Sequence, residues 1–393
     1  MNWHRYAAAI VIGLAIGVSI PVHARTVKVG IVAPYTGGFA SWGVQFRNCV
    51  QLFMEENGDS PGGHKVEVIY RDTGGANPAL SKKLVEELIV NDNVDILGGF
   101  YFSPNAFAVS PVLNQAKKPG VLFLAGTPEI TTTSPYWVRV GYTVWQVAVP
   151  MAQWANKQGM KRVYIAVADF APGHSVQEAF KSTFTKLGGT IVGEDRMPLN
   201  TADYAPFVQR IADAKPDGLY MFVPNGPPAV AFVKAVAAAK LQDRGVKVMG
   251  IAETDDQDLP AIGPAAKGIY SAFYYTIALD TPANQKFVKA VTNRFGAEAS
   301  PHAGCVGAYD GMKVIYQMIQ KTNAVLDAKA IDAVRGMSFD SPRGPISIDP
   351  ETRDIIQNVY IRVVDEKDGK LYNRVLETFP AVKDPWKELN KKK

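Results

Sequence analysis

Short apolar runs alternate with amphipathic stretches along most of the chain. The run TVKVGIVAP (26–34) predicts a buried strand, and residues 42–57 have the spacing of a helix. HKVEVIYRD is the next strand, and Asn77-Pro78 then predicts a helix start, because Asn is a good N-cap and Pro suits the first turn. VDILGGF and GVLFLAG continue the series as strands. This alternation predicts an α/β fold with parallel sheets flanked by helices.

A second series of the same kind begins after Tyr142. Its strands are RVYIAVADF, TIVGEDRMP, DGLYMFVP and VKVMGIAE, each followed or preceded by a helical pattern, and GIYSAFYY resumes as a strand. The last part of the chain differs, because FDSPRGPISID and NVYIRVVDEKDGKLYNRVLETF have the pattern of antiparallel strands, with a turn at Asp368-Gly369. Two consecutive βα series predict two domains.

The first 24 residues have the pattern of a secretory signal peptide. A short region with Arg5 leads into an apolar run of residues 7–20, and small residues precede Arg25. A membrane anchor is the alternative, but the run is shorter than the ~20 residues that span a bilayer. We therefore expect export to the periplasm with cleavage near Ala24. An oxidising compartment permits a disulfide between the two cysteines, Cys49 and Cys305, although the sequence leaves their pairing open.

The loops at the carboxyl ends of the strands are the candidate binding site, since open parallel sheets bind ligands there. These loops carry five aromatic side chains that are better explained by a ligand than by a core. They are Trp42, Tyr101, Phe102, Trp145 and Phe170. Several of the loops begin a helix, whose free N–H groups favour an anion such as a carboxylate.

Signatures of enzymes and nucleotide sites are missing from the sequence. The glycines of PYTGGFASWG do not fit G-x-G-x-x-G, and neither a G-x-S-x-G nor a phosphate-loop motif occurs. An Asp169–His174 pair is conceivable as a base, but His174 equally suits a helix start that donates to a ligand. Glu253 suits either a ligand ammonium or the capping of the next turn. The sequence therefore predicts a protein that is not an enzyme and has no cofactor or metal.

Charge points away from nucleic acid as a partner. Removing Arg5 with the leader leaves 41 basic and 37 acidic residues, a net charge of +4, and the basic residues cluster only at the end, in Lys391-Lys392-Lys393.

Several motifs resemble the bacterial Leu/Ile/Val-binding proteins, the branched-chain amino-acid type of periplasmic solute-binding protein. They are VKVGIVAPYTGGFASWGVQFRNCVQLFMEE, RDTGGANPALSKKLVEELI, DYAPFVQRIADAKPDGLYMFV, YDGMKVIYQMI and IDAVRGMSFDSPRGPISIDPETRD. The resemblance covers about residues 27–379. It implies a two-lobed periplasmic binding protein fold of type I with three crossover strands. Lobe 1 would comprise 25–141 and 267–337, lobe 2 would comprise 142–266 and 338–378, and 379–393 would be a tail.

The resemblance also implies site residues. Trp42 matches the tryptophan of the family's first loop, and Tyr101-Phe102-Ser103 replaces its serine-rich second loop. Ala125-Gly126-Thr127 is similar to the pair that binds the α-groups of an amino acid, and Glu253 lies within one residue of the acid for the α-ammonium. The predicted binding residues outside these motifs are Ser41, which we expect to cap the first helix and face a carboxylate, and Trp145, Phe170, His174 and Asn225.

The implied function is capture of a small solute for an ABC permease in the inner membrane, by a monomer. The ligand would be a branched-chain amino acid or a related small carboxylate. Aromatics in place of serines in the second loop, and Phe170 and His174 in place of a tyrosine, favour an alternative of aromatic carboxylates. A sensory module for a membrane receptor is the alternative of another class.

Overall fold

The computed structural model describes residues 24–296 and 299–391, and the strands in these ranges form two sheets. The first sheet is wholly parallel, with the order β2-β1-β3-β4-β5. Four of its five strands are apolar and mostly buried, as expected for a parallel sheet covered by helices, whereas the edge strand from Lys65 to Asp72 carries four charged residues. They are β1 (Thr26–Ala33), β2 (Lys65–Asp72), β3 (Ile96–Gly99), β4 (Gly120–Leu122) and β5 (Trp137–Arg139).

The second sheet joins a parallel part to an antiparallel part. Its order is β11-β12-β13-β10-β9-β8-β6-β7, and β14 pairs with β13 outside this path. The hairpin of β13 and β14 turns at Asp368-Gly369, where both residues have positive φ, as the sequence predicted. The strands are β6 (Arg162–Ala168), β7 (Thr190–Met197), β8 (Gly218–Phe222), β9 (Lys247–Gly250), β10 (Tyr270–Phe273), β11 (Ser338–Ser341), β12 (Gly344–Ile348), β13 (Ile355–Lys367) and β14 (Lys370–Val382).

Two of our sequence-based boundaries differ from the observed pairing. Strand β10 pairs with β9 and β13 in the second sheet, whereas the boundary at 266/267 assigned it to lobe 1. The chain leaves the second sheet only after Phe273. The segment 379–393 is also more than a tail, because β14 runs to Val382 and a helix follows at Pro385–Leu389.

Helices cover the sheets, and their starts follow local sequence rules. The side chain of Asn77 accepts a hydrogen bond from the backbone N–H of Leu80, as expected for an N-cap. The helices are α1 (Ala40–Asn57), α2 (Pro78–Val90), α3 (Ser103–Ala116), α4 (Ile130–Thr133), α5 (Val144–Lys157), α6 (Ala171–Lys186), α7 (Ala205–Ala214), α8 (Pro227–Ala238), α9 (Leu259–Ile262), α10 (Pro282–Phe295), α11 (Ala303–Thr322), α12 (Ala328–Asp332) and α13 (Pro385–Leu389). Among these described helices, none is both long and apolar enough to span a membrane.

Three segments carry the chain between the two sheets, and the side chain of Arg343 binds two of them. They follow β5, β10 and α12. Arg343 donates to the carbonyl oxygens of Val140 and Gly141 in the first segment, and its guanidinium lies 4.9 Å from the ring centre of Tyr274 in the second. Arg343 itself follows the third segment, between β11 and β12. Asp310 of α11 balances its charge, with an Nη2–Oδ2 distance of 2.7 Å, and both side chains are buried.

The predicted signal peptide lies, up to residue 23, outside the described residues. Cys49 of α1 and Cys305 of α11 form a disulfide, with Cα atoms 5.2 Å apart. The bond joins two helices that are distant in sequence and pack against each other under the first sheet.

We expect no free thiol in the unreduced protein, because the two cysteines are paired. Reduction should lower the free energy of unfolding by about 2–5 kcal/mol, since the bond closes a long loop in the unfolded chain. Thiol titration in denaturant, followed by urea unfolding with and without reductant, measures both quantities. Two reactive thiols before reduction would contradict the pairing.

We expect Asp310→Asn to destabilise the protein by about 3–5 kcal/mol, because it leaves the buried charge of Arg343 without its partner. Urea unfolding measures the loss. The control is Asp332→Asn, which breaks an ion pair with Arg335 on the surface and should cost no more than about 1 kcal/mol. If both variants lose the same free energy of unfolding, the buried ion pair stabilises the fold no more than the surface pair does.

Candidate ligand-binding site

A narrow cavity lies between the carboxyl ends of the two sheets. Its volume is about 480 Å³ when the solvent space at its mouth is included. The first sheet and its helices contribute one group of lining residues, and the second sheet contributes the other. The lining residues are Trp42, Tyr101, Phe102, Ser103, Leu124, Gly126, Tyr142, Phe170, Pro172, Phe222, Pro224, Asn225 and Phe273.

Trp42 forms part of the first wall and is buried in the first turn of α1. The loop before this helix packs tightly against it, since a Cβ atom on Gly43 would lie 2.1 Å from the carbonyl oxygen of Pro34. The ring centre of Trp42 is 4.9 Å from that of Tyr101, which in turn contacts Phe102 edge to face at 4.5 Å. The three rings form one continuous apolar face.

The opposite wall comes from the second sheet. Phe170 precedes α6 and Phe222 ends β8, and their rings are stacked with centres 5.9 Å apart and an interplanar angle of 6°. Tyr142 and Phe273 close the side of the cavity near the crossing segments and contact each other edge to face. Seven of the thirteen lining residues are therefore aromatic, which favours a flat apolar ligand.

Hydroxyl groups supply the polar part of the first wall. Ser103 Oγ accepts the backbone N–H of Thr127 at 3.2 Å, so the serine hydroxyl keeps its own proton to donate. The buried Oγ1 of Thr127 has no hydrogen-bond partner among the described residues. Burial raises the pKa of both Tyr101 and Tyr142 well above the usual range, so both hydroxyls remain protonated.

Helix N-termini add positive potential without a charged side chain. Helix α3 begins at Ser103, directly after Phe102, and helix α6 begins at Ala171, directly after Phe170. Both phenylalanines line the cavity. The first N–H groups of a helix have no partner within the helix and favour an anion. Of the lining residues, none carries a charge. The cavity can therefore hold an anion through dipoles and hydroxyls, but it provides no carboxylate for a ligand ammonium.

Glu253 lies outside the cavity lining, and its carboxylate serves its own loop. Its oxygens accept the backbone N–H groups of Val223, Ile251 and Ala252 at 2.7–3.1 Å. Burial raises the pKa of Glu253 to about 7, although these hydrogen bonds favour the ionised form. The carboxylate therefore does not cap the turn that follows, because its partners are the two residues before it and Val223 of a neighbouring loop.

Asn225 lines the cavity and is fixed by its own neighbours. Its side-chain amide donates to the carbonyl oxygen of Ala252, and Asp258 accepts the backbone N–H of Gly226 at 3.0 Å. Burial raises the pKa of Asp258 to about 6. The loop before α8 is thus held in place by hydrogen bonds that do not involve the cavity.

Some of the other predicted site residues line the cavity, some lie next to it, and some lie outside it. Trp42, Tyr101, Phe102, Ser103, Gly126, Phe170 and Asn225 line it, while Ala125 and Thr127 are buried next to Gly126. Ser41 is exposed inside the first turn of α1, which begins two residues earlier than a capping role requires. His174 is exposed and pairs with Asp169 at 2.6 Å. Trp145 is buried in the core, where its Nε1 donates to Ser175.

Sequence reasoning missed several lining residues: Leu124, Tyr142, Pro172, Phe222, Pro224 and Phe273. Phe222 and Pro224 belong to a strand-end loop that the sequence did mark, so the carboxyl-end rule could have found them. Phe273 carried no such signal, because its strand was assigned to the first lobe.

Comparison with known proteins agrees with the family resemblance seen in the sequence. A family model described as periplasmic binding protein matches residues 26–370. Leu/Ile/Val-binding protein homolog 6 of Brucella melitensis is 44% identical over 366 residues, which cover 92% of this chain and 94% of the relative.

Solved structures agree at similar levels of identity. A solute-binding protein of an ABC transporter from Rhodopseudomonas palustris HaA2, in complex with p-hydroxybenzoic acid, has a TM-score of 0.91 and 44% identity, covering 93% of this chain and all of that one. A second, from strain BisB5 in complex with 3,4-dihydroxybenzoic acid, has a TM-score of 0.88 and 44% identity, covering 92% of this chain and 99% of that one. The chain therefore belongs to the periplasmic binding protein family, and the solute-binding function predicted from its sequence is confirmed.

Proposed function

We propose that this protein binds a small aromatic carboxylate in the periplasm and delivers it to an ABC permease of the inner membrane. The observation that carries the proposal is the uncharged, narrow cavity walled by aromatic rings. A planar ring fits between the face of Trp42, Tyr101 and Phe102 and the stacked pair of Phe170 and Phe222. Such aromatic contacts add to the free energy gained from burial of apolar surface.

The carboxylate of the ligand would lie at the start of α3. Ser103 has a hydroxyl proton to donate there, and the backbone N–H groups of Ser103 and Asn105 in the first turn have no partner within the helix, whereas Pro104 has no N–H. Thr127 does not line the cavity, but its backbone N–H holds the hydroxyl oxygen of Ser103. Hydrogen bonds from the hydroxyl and the free N–H groups to an ionised acceptor compensate for the loss of water around the carboxylate.

An amino acid fits this cavity less well than an aromatic carboxylate. Its α-ammonium would need a carboxylate or several acceptors, but the lining residues include no acid and Glu253 is occupied by backbone N–H groups. An unpaired buried ammonium would cost several kcal/mol. The ligands of the two similar Rhodopseudomonas palustris proteins, p-hydroxybenzoic and 3,4-dihydroxybenzoic acid, have a ring and a carboxylate but no ammonium.

The remaining parts of the proposal concern transport. The signal peptide would be cleaved near Ala24, and the mature protein would act as a monomer without catalytic activity. Lobes would close on the ligand about the crossing segments, and the permease would recognise the closed form. Closure requires that the ligand contact both walls, and both walls contribute aromatic residues.

We expect 4-hydroxybenzoate to raise the melting temperature of the mature protein, while leucine leaves it unchanged. A ligand at 100 times its dissociation constant stabilises the folded state by about 2.7 kcal/mol. Thermal-shift measurements with benzoate, 4-hydroxybenzoate, 3,4-dihydroxybenzoate, leucine and valine test the ligand class. A shift with leucine but with none of the three benzoates would refute the proposal.

We expect Ser103→Ala to raise the dissociation constant of 4-hydroxybenzoate by about 10- to 100-fold, because a hydrogen bond to a charged group contributes about 1.5–3 kcal/mol. Isothermal titration calorimetry measures the change. The matched control is Ser41→Ala, which removes an exposed hydroxyl from the first turn of α1 and should leave the affinity unchanged. If the two variants bind equally well, Ser103 does not hold the carboxylate.

A further inference from the structure

The C-terminal helix α13 inserts a buried lysine behind the ligand cavity. Lys387 Nζ lies 2.6 Å from Thr131 Oγ1 and 3.2 Å from Asp354 Oδ2, and only 9% of its side chain is exposed. Burial lowers the pKa of Lys387, because a charge loses its hydration there. A lysine on a five-residue terminal helix would normally extend into solvent at no such cost.

A chain of buried polar contacts leads from Lys387 to the cavity. Asp354, the partner of Lys387, lies 3.3 Å from Nη1 of Arg139, and both side chains are almost completely buried. Arg139 donates through Nη2 to the carbonyl oxygen of Thr127 at 2.7 Å. The N–H of Thr127 binds the hydroxyl of Ser103, which lines the cavity. The link between Asp354 and Arg139 is an ion pair without a hydrogen bond, and the next two links are hydrogen bonds.

A second contact ties the same segment to the other side of the cavity. Asp384 caps α13 by accepting the backbone N–H of Trp386, and it also accepts the hydroxyl of Thr143 at 2.9 Å. Thr143 is the N-cap of α5 and follows Tyr142, a lining residue. The segment from Asp384 to Lys387 thus holds two loops of the cavity wall, both next to the first crossing segment.

We infer that Lys387 is a positioning residue for the ligand site, which acts through Asp354, Arg139 and the backbone of Thr127 to fix the hydroxyl of Ser103 where the carboxylate binds. The inference rests on the proposed function, since it concerns the affinity for an aromatic carboxylate. It assigns the C-terminal helix a part in binding, although the helix contributes no residue to the cavity lining.

The test is a double-mutant cycle that separates this role from stability alone. Isothermal titration calorimetry with 4-hydroxybenzoate is carried out on the wild-type protein, Lys387→Met, Ser103→Ala and the double variant, with urea unfolding of each. Lys387→Met should raise the dissociation constant by about 2- to 30-fold, the range of coupling through packed networks. In the Ser103→Ala background the same substitution should change it by less than about twofold, because its target is already lost.

The matched control is Lys383→Met, which removes a largely exposed lysine whose Nζ lies 3.4 Å from Asp349 Oδ2 and should leave affinity unchanged. If Lys387→Met does not fold, Thr131→Val replaces it in the cycle, since it removes the contact of Thr131 with Lys387 and its hydrogen bond to Asp354, the next group of the chain.

Equal effects of Lys387→Met with and without Ser103 would overturn the inference and leave the proposed function intact. So would an unchanged affinity in Lys387→Met. Failure of the wild-type protein to bind any benzoate would instead overturn the proposed function, and this inference with it.

Discussion

The fold depends on one buried arginine at the place where the chain passes between its two sheets. Arg343 has no exposed surface, and its guanidinium is bound by Asp310, Gln357 and two carbonyl oxygens of the first crossing segment. A buried guanidinium is tolerated only when its N–H donors have hydrogen-bond partners and a carboxylate balances its charge. Because one rigid, planar group contacts separate crossing segments, the two halves meet at a defined place, and the cavity walls meet there too.

Much of this architecture is visible in the sequence, for physical reasons. Strands that are buried on both faces are continuously apolar, and amphipathic helices have a regular hydrophobic period. The alternation of strands and helices could therefore be predicted from the sequence. Asn77 and the turn at Asp368-Gly369 were found because they depend on local chemistry. The sheet to which β10 belongs was not predicted, because its pairing with β9 and β13 depends on contacts between distant parts of the chain.

The site was predictable to a lesser degree. Trp42 and Phe170 were found because they follow strand ends, where ligands of parallel sheets bind. Glu253 follows a strand end too, but its carboxylate turns back to the N–H groups of its own loop, and composition does not reveal that direction. Lys387 was assigned to a C-terminal tail, since the family resemblance ended at about residue 379. Its burial depends on Asp354, an acid that only the folded chain brings close.

The disulfide between α1 and α11 also affects how the cavity meets its ligand. Cys49 lies two turns after Trp42 on the same helix, and Gly304, next to Cys305, is so close to the Trp42 ring that an added Cβ would lie 2.8 Å from it. The covalent bond therefore restrains this wall before any ligand arrives. Ordering a loose wall on binding would cost conformational entropy and weaken affinity. In an oxidising compartment much of that cost falls on folding, so an arriving ligand meets a wall that is already in place.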